Sequence, residues 1–445
     1  MKTTLFFRHI CLCTAFGLLL SCAGRTKAPI NRQESDRNLA ASILSDSTLT
    51  KVERMGRELL SKGYNAGGVY HEVWIRDFNT FIETVMDIVP KENVREALSV
   101  FFKLQQPNGE IVDGYVPKAS QWRDNVPYYS EADTTHVGFK NTTETDQETS
   151  LVQAVWKYVE KSGDRDFLSM EIAGESVYKR MERAMEYLTT EKYDAGFGLL
   201  TGALTADWGD VENDTVNCVD IGPGSTLTVD IYDNAMMVIA LRNLWLMASD
   251  DQAVARWGKM EADFRKNIRR HLWNSREKRF IPHLYPEGKP ETIDFDEERI
   301  YYHGGTAVAI EADLLTEEEI RRVNQDMLEN VRRSGMPSIG LTIYPTYPRD
   351  FFPYNCGMKY PFNYQNGGDW TWFGGRMIQQ LVSYGMVAEA YQEIRPMIDR
   401  VIVNGDFYEW YGQGNTPKGS PGYKGSAGVL CKAIGMLRQW AEEHK

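Results

Sequence analysis

The chain has 445 residues, of which 42% are hydrophobic, 25% charged and 12% aromatic, a composition that excludes a disordered protein and predicts a large buried core. The 50 lysine and arginine residues stand against 62 aspartate and glutamate residues, so the net charge is −12. Because a chain this acidic repels phosphate backbones and anionic lipid surfaces, we expect no nucleic-acid partner.

The first 22 residues have the pattern of a bacterial export signal. Lys2 and Arg8 precede an apolar run over residues 10–20, and Ser21 and Cys22 follow it. The run is short for a membrane span, and its end resembles a lipobox, in which the cysteine becomes the lipidated first residue. An ordinary cleaved signal is the alternative. We predict an exported lipoprotein on the periplasmic side of a bacterial outer membrane, with the lipid on Cys22 as its sole membrane contact.

The cysteines that follow the signal are few and widely spaced. Cys218, Cys356 and Cys431 form no disulfide framework and no Cys-x-x-Cys pair. The seven histidines include no His-Glu-x-x-His pattern. We therefore expect neither a metal nor a cofactor.

The remaining chain divides into a short polar segment and one long helical region. Residues 23–45 are small and polar and are predicted to be a flexible tether, with a folded domain over 46–445. Apolar side chains recur at helical spacing along that domain, as Leu151, Val155 and Val159 do. The pattern predicts helices over 46–62, 74–88, 92–104, 148–162, 170–188, 231–248, 251–272, 303–313, 316–333, 370–384, 386–403 and 424–442.

About a dozen helices in succession suggest six hairpins. Short β-like stretches in the connections are too few and irregular for a parallel sheet. The predicted fold class is all-α, an (α/α)6 toroid. Its long loops, such as 106–145 and 191–230, are expected to meet at one end and form a pocket.

The first segment with polar residues of interest is GYNAGGVYHEVWIRDFNTF. Arg76 and Asp77 begin an apolar helix, with Tyr70 and Trp74 close by. A buried structural pair is one interpretation, because an acidic residue in a first helical turn is favoured by the helix dipole. Sugar binding is the other, since carboxylates and aromatic rings hold sugar hydroxyls and C–H faces.

The second segment, ADWGDVEND, places Asp207, Trp208 and Asp210 in a loop. An indole beside a carboxyl group desolvates it and favours its neutral form, which a general acid needs. The alternative for each aspartate is a turn or a helix cap.

The third and fourth segments lie in the C-terminal part of the chain. NYQNGGDWTW contains Asn366, Asp369 and Trp370 directly before a helix, so capping by Asp369 competes with a role in binding. FYEWYGQ places Glu409 between Tyr408 and Trp410 in a loop, which favours catalysis over a ligand-binding or structural role.

Two carboxylates from separate loops in one aromatic pocket are what acetal hydrolysis requires. One protonates the leaving oxygen while the other activates water or attacks the anomeric carbon. The sequence has no G-x-S-x-G elbow and no dinucleotide-binding fingerprint, so serine hydrolase and nicotinamide chemistry have no support.

These segments resemble, in order and spacing, the motifs of the six-hairpin glycosidases, and most closely those of the alkaline and neutral invertases and related inverting α-glycosidases. The resemblance rests on WIRDF, TDQETSLVQAVWKYVEKSGD, NYQNGGDWTW and FYEWYGQ with GYKGSAG. It covers nearly all of residues 60–440. It implies a glycoside hydrolase that acts on an α-linked oligosaccharide or disaccharide with inversion, and the N-terminal signal predicts that this enzyme is exported.

The resemblance also implies roles for single residues. Glu409 corresponds to the general base that activates water. The general acid is an aspartate in the middle of the chain, for which we choose Asp210, with Asp207 as the alternate. Inversion implies that the two carboxyl groups lie about 6.5–9.5 Å apart, against about 5 Å in a retaining enzyme.

The remaining positions would form the sugar site. The resemblance implies that Arg76 and Asp77 bind hydroxyl groups of the sugar at the cleaved end. It further implies that Asn366, Asp369 and Trp370 shape the same pocket. The aromatic residues Trp74, Trp208, Tyr408 and Trp410 complete the predicted substrate-binding set.

The sequence departs from the invertase pattern at two motifs, which leaves the substrate open. ADWGDVENDTV stands where the invertases have Asp-Gly-Ser followed by Ile-Asp-Arg-Arg, and Asp369 stands where Trp-Pro follows Asn-Gly-Gly. Sucrose, other glucosides and mannosides all remain candidates. Two further classes are a non-catalytic sugar-binding lipoprotein and an epimerase or lyase on the same toroid, for which His71, His136 and His303 would be candidates.

Overall fold

The computed structural model describes residues 32–120, 127–214, 217–353 and 357–445. Fifteen helices are the main elements of these ranges. They are α1 Arg32–Ser45, α2 Ser47–Leu60, α3 Ile75–Val85, α4 Lys91–Lys103, α5 Gln147–Ser162, α6 Asp166–Ser169, α7 Val177–Glu191, α8 Ile231–Met247, α9 Asp251–His271, α10 His303–Glu311, α11 Glu317–Ser334, α12 Thr371–Ser383, α13 Val387–Glu393, α14 Arg395–Asn404 and α15 Lys424–Glu443.

Six of these helices form a closed inner ring. In chain order α3, α5, α8, α10, α12 and α15 each contact the next, and α15 contacts α3. The other long helices pack around this ring, as α9 does on α8 and α2 does on α15. The predicted (α/α)6 toroid is thereby confirmed.

Side-chain patterns explain which helices are inside. In α8, 14 of the 17 residues are buried, as expected for a helix with neighbours on all sides. In α9 the buried residues form one stripe, namely Ala253, Trp257, Glu261, Phe264 and Ile268. A helix with a single buried stripe packs against the protein on one side only, so α9 lies outside the ring.

The predicted helices are all present, with two differences in their bounds. The helix predicted from residue 170 begins at Val177, because 171–176 form a small hairpin and Ser176 caps the helix through the N–H of Lys179. The helix predicted over 386–403 is split into α13 and α14. Pro396 follows the break, and its missing N–H is tolerated in a first helical turn but not inside a helix.

Short antiparallel strands lie in the connections between helices. They are β1 Val73–Trp74, β2 Gly114–Pro117, β3 Tyr128–Ser130, β4 Asp133–Phe139, β5 Glu171–Ile172, β6 Glu175–Ser176, β7 Tyr193–Asp194, β8 Leu199–Leu200, β9 Gly202–Ala203, β10 Leu227–Thr228, β11 Trp273–Asn274, β12 Arg279–Phe280, β13 Tyr301–Tyr302, β14 Ile343–Tyr344, β15 Tyr408–Gly412 and β16 Thr416–Pro421.

One of these sheets falls within a predicted loop. Strands β1, β2, β4 and β3 form a four-stranded antiparallel sheet in that order, mostly within the predicted loop 106–145. Trp74 pairs with Gly114, where a Cβ would lie 2.4 Å from the Trp74 ring. The glycine therefore lets the indole lie flat against the strand at the start of α3.

The predicted tether needs correction. Residues 32–45 form helix α1, which packs on α15 with Ala40 and Ile43 fully buried. The folded region therefore includes at least these residues, because two apolar side chains on one helix face are covered by the last helix. The predicted signal over 1–22, its Cys22, and residues 23–31 lie outside the described residues.

Two further observations concern the membrane and the cysteines. Across the described ranges no helix combines the length and apolar character that a membrane crossing requires. Cys218 and Cys431 are both buried, Cys431 is a free thiol, and Cys356 is not among the described residues.

Candidate active site

A cavity of about 380 Å³ lies at the N-terminal ends of the inner helices. The residues immediately before α3, α12 and α15 are Trp74, Trp370 and Tyr423, and all three line it. The complete lining is Tyr70, Trp74, Arg76, Asp77, Asp113, Tyr128, Phe139, Lys140, Asn141, Thr142, Glu144, Trp208, Asp210, Val211, Val219, Asp220, Tyr364, Trp370, Trp372, Glu409 and Tyr423.

Arg76 joins two inner helices at the wall of the cavity. Its Nε donates to Asp146 Oδ2 at 2.6 Å and its Nη2 to Asp146 Oδ1 at 3.1 Å, and Nη2 also contacts Glu144. Asp146 immediately precedes α5 and accepts a further bond from the Tyr232 hydroxyl at 2.6 Å. Arg76 is thus held by carboxylates, and its first role is to tie α3 to α5.

Asp77 lines the cavity and has one carboxyl oxygen without a hydrogen-bond partner. It is buried, and burial raises its pKa to about 6 although Tyr423 hydrogen-bonds to it. Its Oδ1 has no hydrogen-bond partner. A buried acceptor without a partner costs free energy. This oxygen is therefore suited to accept a hydrogen bond from a hydroxyl group.

Glu409 is positioned by the hairpin of β15 and β16. The Tyr70 hydroxyl donates to Oε1 at 2.9 Å, and the N–H of Ser420 donates to Oε2 at 2.8 Å. Burial raises the pKa of Glu409 to about 7, and the charges of Asp210 and Asp77 add to the shift. The carboxyl group is therefore oriented at both oxygens and titrates near neutral pH.

Asp210 reaches the same cavity from the long loop before α8. Gln365 Nε2 donates to Oδ1 at 2.6 Å, and the Tyr364 hydroxyl lies 3.4 Å from both oxygens. Since the charge of Asp210 contributes to the raised pKa of Glu409, the two carboxylates act on each other across the cavity.

Three of the four tryptophans in the lining pack against one another. Trp208 meets Trp370 edge to face at 4.6 Å and Trp372 at 5.1 Å between ring centroids. The indole N–H of Trp370 donates to the Tyr364 carbonyl at 3.1 Å. The indole nitrogens of Trp208 and Trp372 are buried and have no hydrogen-bond partner.

Asp207 lies outside this cavity, which corrects its place among the candidates for the acid. It has a positive φ of 58° and is 1% exposed. Its two oxygens accept the N–H groups of Gly304 at 2.6 Å and Gly305 at 2.8 Å, in the first turn of α10. Asp207 therefore caps an inner helix, and the neighbouring Trp208 alone faces the cavity.

Asn366 and Asp369 also lie away from the cavity, contrary to prediction. Asn366 Oδ1 accepts the N–H of Tyr347 at 2.8 Å and holds its own loop. Asp369 is fully buried and accepts from Arg400 Nη1 at 2.8 Å and from the N–H of Ser338 at 2.7 Å. A carboxylate saturated in this way has no oxygen left for a sugar.

Tyr408 and Trp410, which flank Glu409, do not line the cavity either. Side chains alternate along β15, so the residues on each side of Glu409 point away from it. Trp410 packs behind the wall against Tyr364, with 6.2 Å between ring centroids. The prediction that these two side chains bind substrate therefore needs correction.

Several polar residues of the lining were not predicted from the sequence, above all Asp113. This residue is buried, and its burial raises its pKa to about 7. It precedes Gly114 of β2, where an Asp-Gly pair resembles an ordinary turn, and no tryptophan lies beside it in the sequence. Lys140, also missed, pairs with Glu148 at 3.0 Å. Only the sheet brings these residues to the start of α3.

Histidines and metal ligands contribute nothing to this site in the part of the chain that the structure describes. No histidine there lines the cavity, and no group of three or more side chains there could hold a metal ion. His136 pairs with Asp133 at 2.9 Å. His303 is buried beside Asn330, and its burial lowers its pKa to about 3.

Comparison with solved structures identifies the class of fold. A mannosylglycerate hydrolase of family GH63 from Thermus thermophilus, in complex with Tris and D-glycerate, matches with a TM-score of 0.62 and 15% identity, over 86% of this chain and 99% of that one. A GH78 rhamnosidase from Bacillus sp. GL1 matches with a TM-score of 0.58 and 12% identity, over 86% and 34% of the two chains. A rhamnosidase from Klebsiella oxytoca with rhamnose bound matches at 0.55 and 13%, over 89% and 64%.

The protein is thus a six-hairpin glycosidase in fold, as the sequence resemblance indicated. Residues 61–356 match the catalytic domain of the glycosyl hydrolase 94 superfamily, and the chain belongs to that superfamily. No curated protein matches the chain. The matches are therefore to glycosidases of the predicted class, without a specific link to the invertases.

Proposed function

We propose that this glycosidase hydrolyses an α-linked glycoside with inversion, using Asp210 as the general acid and Glu409 as the general base. One observation carries the proposal. Two carboxylates from separate segments line one cavity with four tryptophans, and the charge of Asp210 raises the pKa of Glu409. This is the arrangement that acetal hydrolysis by two carboxyl groups requires.

Glu409 has the environment of a base that activates water. The Tyr70 hydroxyl donates to it, and burial and the nearby carboxylates keep the pKa of Tyr70 well above its ordinary value, so this phenol stays a donor. A base works best when its pKa lies near the operating pH. A carboxyl group that titrates at about 7 meets this condition.

Asp210 is the better of the two proposed acids because it has access to the cavity. Both carboxyl oxygens of Asp207 accept backbone N–H groups at the start of α10. Asp210 has one strong partner, the amide of Gln365, and its carboxyl group lines the cavity. A proton carried there can pass to the oxygen of the leaving group.

The charge of the lining favours a neutral sugar at the cleaved end. The carboxylates are Asp77, Asp113, Glu144, Asp210, Asp220 and Glu409. The two basic side chains, Arg76 and Lys140, are already paired with acidic residues. An added carboxylate on that sugar would meet repulsion with no free cation among the lining residues to offset it. The free Oδ1 of Asp77 and the two indole N–H groups are the proposed contacts to sugar hydroxyls.

The experiment is proton NMR of the full chain with a panel of substrates: sucrose, maltose, isomaltose, α-mannosides and mannosylglycerate. The last is chosen because the Thermus structure is named for it. The anomeric signals report the substrate and the stereochemistry together. A β-anomer released first from an α-glycoside supports the proposal. Release of the α-anomer overturns inversion, and binding without turnover favours a sugar-binding protein.

We also propose that the protein is exported and anchored by a lipid on Cys22. The support is the N-terminal sequence alone, in which a basic start, an apolar run and Ser21-Cys22 follow one another. An anchored glycosidase would act on saccharides that reach the cell envelope.

A further inference from the structure

A second cavity of about 150 Å³ lies on the side of α11, apart from the candidate active site. Its lining is Arg279, Arg299, Tyr301, Asn330, Arg333, Tyr344 and Pro345. Four segments that are distant in sequence contribute to it: β12, the turn before β13 with β13 itself, the end of α11, and β14. It shares no lining residue with the first cavity.

The charges of this cavity are all of one sign. Three arginines line it and no carboxylate does, in a chain whose net charge is −12. Within the described ranges none of the three forms an ion pair, whereas nearby arginines do. Arg269 pairs with Glu319 and Arg332 with Glu329. Among the described residues, the three lining arginines therefore have no carboxylate within ion-pair distance.

Two of the arginines, Arg279 and Arg333, make other contacts. Arg279 Nη1 donates to the carbonyl of Arg299 at 3.1 Å. The Arg333 guanidinium lies over the Tyr344 ring, 5.6 Å from its centroid. The dipole at the C-terminus of α11 favours a basic residue at position 333. It does not explain the arginines at 279 and 299, which come from other segments.

A buried hydroxyl group adds a neutral donor. Tyr301 is 4% exposed, and its hydroxyl has no hydrogen-bond partner. The neighbouring Thr306 side chain lowers the pKa of Tyr301, but the Thr306 hydroxyl donates to the Tyr302 carbonyl at 2.5 Å. A buried hydroxyl group without a hydrogen-bond partner costs free energy. A molecule in this cavity that accepts a hydrogen bond from Tyr301 would remove that cost.

We propose that this cavity binds a tetrahedral oxyanion, phosphate or sulfate. The guanidinium groups supply planar pairs of donors that fit such oxygens, and the Tyr301 hydroxyl supplies one more. The volume is small beside the 300–1,000 Å³ or so typical of organic ligands, which favours a small anion. Tyr302 follows Tyr301 in β13, and neighbouring residues of a strand point to opposite faces. The Tyr302 hydroxyl accordingly donates elsewhere, to the carbonyl of Thr205 at 3.1 Å.

The test measures binding of inorganic phosphate and of sulfate to the full chain by calorimetry, with chloride at the same ionic strength as the reference. The site variant carries Arg279→Gln and Arg333→Gln together. The matched control is Arg332→Gln, one residue away on α11, where the arginine pairs with Glu329 instead. We expect saturable binding by the unchanged chain and by the control, and a loss of affinity of about tenfold or more per arginine removed.

Tyr301→Phe is a second variant, which keeps every charge. It should lower the affinity for the anion while leaving the melting temperature without anion unchanged or higher, since it removes an unpaired buried hydroxyl. The anion that binds more tightly, phosphate or sulfate, is the one for which the site is suited. Undiminished binding in the double arginine variant, or an equal response to chloride, would overturn the proposal.

Discussion

At the residue scale, the aspartates and glutamates that lie close to tryptophan in the sequence fall into two groups. Asp210 and Glu409 line the cavity and retain capacity for a bound molecule. Asp207 and Asp369 are fully enclosed, one by backbone N–H groups and the other by Arg400 and Ser338. The two groups look alike in the sequence, and their partners in space distinguish them.

The proposed roles of Asp210 and Asp207 can be separated by two conservative variants. Asp210→Asn should lower kcat by about 100-fold or more, because it removes a proton donor, with little change in the free energy of unfolding. Asp207→Asn should lower the free energy of unfolding by about 1–3 kcal/mol, since one helix N–H then faces an amide donor. Steady-state kinetics and urea denaturation give the two quantities. The opposite pattern would make Asp207 the acid.

The raised pKa of Glu409 predicts the acidic side of the pH profile. A general base must be ionised, so kcat/KM should fall as the pH drops below about 7. Tyr70→Phe removes a hydrogen bond that lowers the pKa of Glu409. In this variant kcat/KM should therefore begin to fall at a higher pH. The control is Tyr128→Phe, which also lines the cavity but whose hydroxyl bonds to Glu110. An identical shift in both variants would contradict the assignment.

At the scale of elements, the hairpin of β15 and β16 decides where the Glu409 carboxyl group points. Gly419 has a φ of 66°, and a Cβ there would lie 2.4 Å from Glu409 Oε2. Ser420, the next residue, donates its N–H to the same oxygen. The backbone at this point of β16 therefore leaves room for the carboxyl group and also orients it.

Gly419→Ala should displace that carboxyl group and leave the fold in place. We expect kcat to fall by about 100-fold, the effect of a misplacement of about 1 Å in a catalytic group. Gly414→Ala is the matched control, because Gly414 has a φ of 69° in the same hairpin but no atom within 4 Å of its Cβ position. Both variants carry the same backbone strain, so equal losses of kcat would show that strain, and not Glu409, is responsible.

The start of α12 is fixed by a buried ion pair to α14. Asp369→Asn leaves the Arg400 charge unpaired where both side chains are fully buried, so the free energy of unfolding should drop by about 3–5 kcal/mol. KM should stay unchanged below the melting temperature. Urea denaturation and kinetics measure the two effects, with Asp399→Asn on the exposed side of α14 as the control. A raised KM at unchanged stability would return Asp369 to the sugar site.

At the scale of the whole molecule, the ring of inner helices brings distant segments to one end. The lining of the candidate active site extends from Tyr70 to Tyr423, so closing the ring is a condition for assembling it. Helix α1 packs on α15, the helix that closes the ring against α3. The region before residue 46 therefore belongs partly to the fold and partly to the predicted signal.

Lipidation at Cys22 is a prediction about the intact chain in a bacterial envelope. Labelled palmitate should be incorporated into the full chain and should be absent from Cys22→Ala, which removes the acceptor thiol. Cys13→Ala is the control, since it changes a cysteine of the same apolar run. Membrane fractionation of the glycosidase provides a second readout. Incorporation of label into Cys22→Ala would contradict the proposed anchor.

The sequence by itself determined the helices of the toroid and the segments that carry the chemistry, but not helix α1 or the break between α13 and α14. Helical periodicity is local, and Arg76-Asp77, Asp210 and Glu409 stand in short motifs. Only the tertiary structure decided which carboxylates face the cavity. Asp207 and Asp369 are satisfied by Gly304, Gly305, Ser338 and Arg400, and Asp113 enters the lining through strand pairing. The physical reason is that a carboxyl group's role depends on partners brought to it from far along the chain, which no local pattern records.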